Sequence, residues 1–153
     1  MKKIYIIGFL IAAFIPTAHA TPQAKVCTPA EAVKAEADVK AASTWWDLYL
    51  HSTRFAHCDQ GVVSTAFSDQ ISKRLADDWQ SLYDLKTIIM RDFAFRDYVM
   101  RHLDTSVPED RLARIAGNAT ANCQVDTGIL CSDMMAAIAG LNDQARQPED
   151  PKK

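Results

Sequence analysis

The side chains with chemistry to offer are four cysteines, the histidines, several groups of carboxylates and an adjacent tryptophan pair. Cys27, Cys58, Cys123 and Cys131 can form disulfides, hold a metal or cycle between redox states. No two are spaced C-x-x-C, so a thioredoxin-like role has no local support, and the spacings match no zinc ribbon or finger. Structural bridges are expected instead. Seven residues separate Cys123 from Cys131 across a turn containing Gly128, which predicts a local bridge. That leaves Cys27 with Cys58. A single straight helix between those two would hold them about 45 Å apart, whereas a disulfide needs Cα atoms about 5.5 Å apart. Either the chain folds back near Ala41 to Thr44, or Cys27 pairs elsewhere.

Catalytic arrangements find little support. His57-Cys58-Asp59 places a base beside a thiol, but neighbours on a helix point about 100° apart. A helix end, a bridged cysteine and a cap are expected there. His51, His57 and His102 include no pair at i, i+4, so no H-x-x-x-H metal face exists. His102 shares a helical face with Phe95 and Val99 and reads as a packed or capping side chain. Asp77, Asp78 and Asp84 could pair as acid and base, as could Glu31, Glu36 and Asp38. Both groups read as solvated flanks of amphipathic helices. There is no G-x-S-x-G, P-loop or glycine-rich phosphate cradle. The sequon at Asn118 falls inside a predicted helix and is discounted. No catalytic residue, metal ligand or cofactor is expected.

Trp45-Trp46 is the sharper binding signal. Adjacent residues of a helix cannot both enter one core, so burial of one leaves the other near the surface or in a second interface. Exposed aromatics are enriched where protein partners bind. Trp45 and Trp46 are therefore the candidate partner-binding residues.

Helices must position these groups. Thr28-Pro29-Ala30-Glu31 has a capping threonine, a proline at the first helical position and a glutamate that completes a capping box. The helix it opens is expected to reach about Ala42. A second carries Trp45, Leu48, Tyr49 and Ser52 on one face and ends near Cys58. Asp59 is expected to cap a third, in which Val63, Phe67, Ile71, Leu75 and Trp79 recur every four residues. Leu82, Leu85, Ile88 and Ile89 form a shorter stripe. Asp92 is expected to cap a helix with Phe95, Val99 and Leu103 inward. Ser106-Val107-Pro108-Glu109 repeats the cap-and-proline theme before Leu112, Ile115 and Ala119. A last helix, about Thr127 to Asn142, buries Leu130, Met134 and Ile138. No period-2 strand pattern appears. The expectation is an all-α fold, a compact bundle of six or seven short helices stapled by disulfides.

The N-terminus supplies an address. Lys2 and Lys3 precede an apolar run from Ile4 to Ile15, then Pro16 and Ala18-His19-Ala20. This is the layout of a secretory signal peptide with a small-x-small cleavage site. The run is shorter than the roughly 20 residues that span a bilayer, so cleavage without stable membrane insertion is expected. The reading divides the chain into a leader (1–20), one helical domain (21–143) and a disordered tail (144–153). Residues 21–153 keep 15 basic and 19 acidic side chains, a formal charge of −4. A mildly acidic chain without a basic block is a poor match to nucleic acid.

Cys58-Asp59-x-Gly61, Trp79, Phe95-x-x-x-Val99-x-x-His102-x-Asp104, Asn118 with Cys123, and Leu130-Cys131 together resemble a group of secreted proteobacterial proteins of unassigned function. The resemblance covers about residues 45 to 140 and implies no activity. In architecture alone the chain is also similar to periplasmic immunity proteins that neutralise cell-wall amidases. The leading expectation is a non-enzymatic protein of the periplasm or exterior. It would act by binding another envelope or secreted protein, as an inhibitor or immunity protein. The alternatives are a small wall hydrolase with a site assembled from His57, His102 or the aspartates, and a structural envelope-maintenance protein.

Overall fold

The computed structural model describes residues 25–146; the expected leader lies outside them, as does 147–153 of the expected tail. Seven α-helices follow one another: α1 (Pro29–Lys40), α2 (Trp45–Arg54), α3 (Gly61–Asp77), α4 (Leu82–Ile89), α5 (Ala94–Arg101), α6 (Glu109–Ala121) and α7 (Gly128–Arg146). Single 3-10 turns at Ala56–Cys58 and Trp79–Ser81 fill two of the joints. No strand occurs among the described residues, and none of their helices is long and apolar enough to cross a membrane. The all-α, disulfide-stapled expectation holds. α7 runs to Arg146, past the expected end of the domain.

Thr28 starts α1 as its spacing predicts: its hydroxyl accepts from the Glu31 N–H, and the Glu31 carboxylate accepts from the Thr28 N–H. A second capping box, Thr44 with Asp47, opens α2 and ends the fold-back. The reversal between Lys40 and Trp45 falls at the expected place. It brings Cys58 back to Cys27, Cα to Cα 4.9 Å, and the two are bridged. Cys123 and Cys131 form the second disulfide, with Cα atoms 6.2 Å apart.

Three expected helix starts, at Asp59, Ser106 and Asp92, and one helix end differ. Asp59 does not cap α3. The cap position is Gln60, without a side-chain bond, and the turn is made by Gly61 at φ +54°, where a Cβ would be strained. Ser106 does not cap α6; its N–H and hydroxyl are both taken by Asp104. Trp79 continues the stripe of α3 in sequence but lies beyond the helix end, in a 3-10 turn. Asp92 is not the cap of α5 either; that position is Phe93, without a side-chain bond, although the Asp92 carboxylate receives the Ala94 N–H.

The main helix pairings close a cycle: α1 on α3, α3 on α6, α6 on α7, α7 on α5, α5 on α4, α4 on α2, and α2 on α1. Inside it lie Leu48, Phe67, Ile71, Leu75, Leu82, Leu85, Val99, Ile115 and Met134. Polar ties lock neighbouring helices. Arg96 of α5 grips Asp133 of α7 through two hydrogen bonds, at 2.6 and 2.5 Å. Arg111 of α6 binds Asp69 and Ser72 of α3. The Asn118 amide donates to the Leu75 and Ala76 carbonyls, satisfying acceptors that the end of α3 leaves open.

Candidate functional site

The Thr44–Asp47 box sets the rotation of α2, and that rotation separates the tryptophans. Trp45 is 1% exposed, and its indole N–H donates to Ser81 Oγ at 2.9 Å. Trp46 is 44% exposed. Its ring lies 5.3 Å from that of Tyr49, tilted by 39°, which restricts where it can point. Trp46 walls a cleft of about 470 Å³ whose opposite side is α4. Asp84, Thr87, Ile88 and Arg91 line that side, and Thr44 and the edge of Trp45 complete it.

Two hydroxyls that line the cleft are already engaged. The Thr44 hydroxyl is used by the cap, and the Thr87 hydroxyl donates to the Tyr83 carbonyl. Asp84 and Arg91 form no ion pair among the described residues. An apolar side chain would find an aromatic wall between a free carboxylate and a free guanidinium.

The candidate catalytic side chains divide differently. His102 is 1% exposed at the end of α5. Its Nε2 lies 3.2 Å from Asp59 Oδ2 and its Nδ1 lies 3.0 Å from Ser68 Oγ, which in turn is 2.8 Å from Asp104 Oδ2. A carboxylate only accepts, so the Ser68 proton goes to Asp104. Burial pushes the Asp59 carboxyl up, but the hydrogen bonds and charges of His102 and Arg101 outweigh it and hold it below the usual range. The Tyr98 hydroxyl beside it is buried and faces the same carboxylate. Burial first, then the Asp59 charge, drives that phenol far up.

Serine, histidine and aspartate thus meet, but not as a nucleophile and its base. A serine nucleophile gives its proton to the imidazole and faces a substrate. Ser68 gives its proton to a carboxylate and is 1% exposed inside α3. The cluster joins the loop before α3, α3 itself and the end of α5. Asp59, His102 and Asp104 appear in the motif described above; Ser68 carried no signal, since a serine in a helix gives no hint of a partner 34 positions away.

His57 lines another hollow, of about 500 Å³, with Lys25, Thr28 and the Cys27–Cys58 bridge, and its Nε2 lies 3.4 Å from Glu31. It does not share that hollow with the buried His102 ring. Asp77 and Asp78 are exposed and pair separately, with Arg114 and Arg74, while Asp84 belongs to the Trp46 cleft. Glu31, Glu36 and Asp38 pair with Lys25, Lys40 and Lys34. Among the described residues no group of three or more His, Cys, Asp or Glu could hold a metal ion. No protein-family model matches the chain, and no curated protein or solved structure matches it.

Proposed function

We propose that this chain is an exported, non-enzymatic binding protein that recognises another envelope or secreted protein through the Trp46 cleft. One observation carries the reading: a half-exposed tryptophan, its ring against Tyr49, faces α4 and the turn after it, which offer an unpaired Asp84 and an unpaired Arg91. Partly exposed aromatics beside charged groups are the side chains that dominate protein–protein binding energy. The two disulfides suit an oxidising compartment, as the apolar leader does. An inhibitor or immunity protein is the most concrete form, because such a protein needs a fixed surface and no reacting group.

The test is affinity capture from the envelope fraction of the source cell, with the unaltered chain, Trp46→Ala and Val33→Ala as baits. Val33 is exposed on α1, outside the cleft. A partner retained by the unaltered chain and Val33→Ala, and lost with Trp46→Ala, supports the reading. Equal retention by all three baits, or no retained partner, overturns it.

A further inference from the structure

A second apolar face lies on the other flank of α4. The Trp46 cleft uses positions 84 and 88 of that helix; positions 86, 89 and 90 line a separate groove of about 200 Å³. A shift of two residues is about 200° of helical rotation, so the two sites look away from each other. Phe93, Ile129 and Leu130 continue the groove onto the approach to α5 and the start of α7. Met90, Phe93 and Ile129 are 78%, 62% and 73% exposed. Three large apolar side chains thus stand around one apolar hollow, and contiguous exposed apolar patches are often functional.

We propose that this groove docks a second copy of the chain across a two-fold axis. The charge at its rim favours that occupant. Lys86 lines the groove and has a cation–π contact with Tyr83 but no ion pair; Asp126 lines it too and has none. In a two-fold interface residue i meets residue j twice. Lys86 of each copy then faces Asp126 of the other, and the two apolar sets cover each other. The remaining charge in the groove, Arg96, is already neutralised by Asp133. The patch holds both projecting side chains and a hollow, as self-docking requires. Outside the described residues, 147–153 lacks large apolar side chains, and the apolar run Ile4–Ile15 belongs to the leader that the proposed export removes, on which reading this occupant rests. An interface built around one hollow of about 200 Å³ is small, so the association is reversible.

Sedimentation velocity of the disulfide-bonded chain over about 1–300 µM, a range suited to a micromolar Kd, tests the proposal. A concentration-dependent monomer–dimer equilibrium is expected. Phe93→Asp, at an exposed position, should give a folded monomer whose melting curve shifts only by loss of the ring's contact with Arg96. Lys86→Glu and Asp126→Lys should each weaken the dimer about tenfold, as loss of about 1.4 kcal/mol does, and the double reversal should restore it. A monomer at every concentration overturns the proposal. So does a dimer indifferent to Phe93→Asp, or single reversals that the double reversal fails to rescue. Trp46→Ala should leave the equilibrium unchanged, which separates this interface from the proposed recognition cleft.

Discussion

His102 Nε2 stands 3.2 Å from Asp59 Oδ2, with the two side chains 2% and 8% exposed. Removing one member of such a pair strands the other in a poorly solvated site, at a cost of about 3–5 kcal/mol. His102→Ala and Asp59→Asn should each lower the urea midpoint accordingly. In a double-mutant cycle their effects should fall short of additive by about 1–3 kcal/mol. Tyr98→Phe deletes the buried hydroxyl that faces the same carboxylate and should cost less, about 0.5–1.5 kcal/mol. Additive losses would mean that the two side chains do not act together.

The same carboxylate sets an acid limit. Asp59 and Asp69 are both pushed up by burial, yet held low overall, Asp59 by His102 and Arg101, Asp69 by Lys73 and Arg111. Glu31, hydrogen-bonded first by Lys25 and then by Thr28, is lowered from 4.5 to about 2. A carboxylate depressed in the fold stabilises it fully above its unfolded value, near 4, and stops doing so as pH falls through the folded value. The contribution of these three carboxylates should therefore be flat above about pH 5 and fall below about pH 4. Asp59→Asn should be less stable than the parent at pH 7, with the difference shrinking toward pH 2. A difference constant with pH would remove Asp59 from this account.

Disulfide loss should be unequal. The Cys27–Cys58 bridge closes a 31-residue separation and the Cys123–Cys131 bridge one of 8. Loop entropy alone assigns them about 3.5 and about 2.5 kcal/mol. Replacing Cys27 and Cys58 together with serine should lower the urea midpoint more than replacing Cys123 and Cys131. It also leaves a hydroxyl at position 58, where Cys58 is 2% exposed. The reverse order would show that the local ring around Thr127 matters more than the closure of α1 onto the loop before α3.

The tryptophans should separate stability from recognition. Trp45→Ala removes a side chain 1% exposed together with its bond to Ser81, and should cost about 3–5 kcal/mol. Trp46→Ala should stay within about 1 kcal/mol of the parent, since half of its ring already meets water. Chemical denaturation of both variants checks this. Equal destabilisation would make Trp46 a packing residue.

Sequence patterning reaches the helices because each buries a regular stripe, and α3 shows it from Val63 to Leu75. It reaches the turn at Thr44 less well, since a capping box ending in Asp47 is a weaker signal than one ending in glutamate. Asp59 was legible as a polar residue before a helix, and a cap is the usual use of that position. Its real partner, His102, lies 43 positions away and is fixed only when α5 packs beside the loop. The split between Trp45 and Trp46 follows from helical geometry, but which one is buried depends on Ser81 and α4. The groove at Met90 and Phe93 has no sequence signature, because apolar residues just past a short helix look the same whether they face inward or outward.

The three tryptophans also give the molecule an optical asymmetry. Trp45 and Trp79 are 1% and 8% exposed, each with its indole N–H bound inside the protein, whereas Trp46 is 44% exposed. Collisional quenchers such as iodide should reach one emitter in three, at the red edge of the spectrum. The cleft therefore carries its own fluorophore, and occupancy there can be followed as protection of that red-edge emission without attaching a dye.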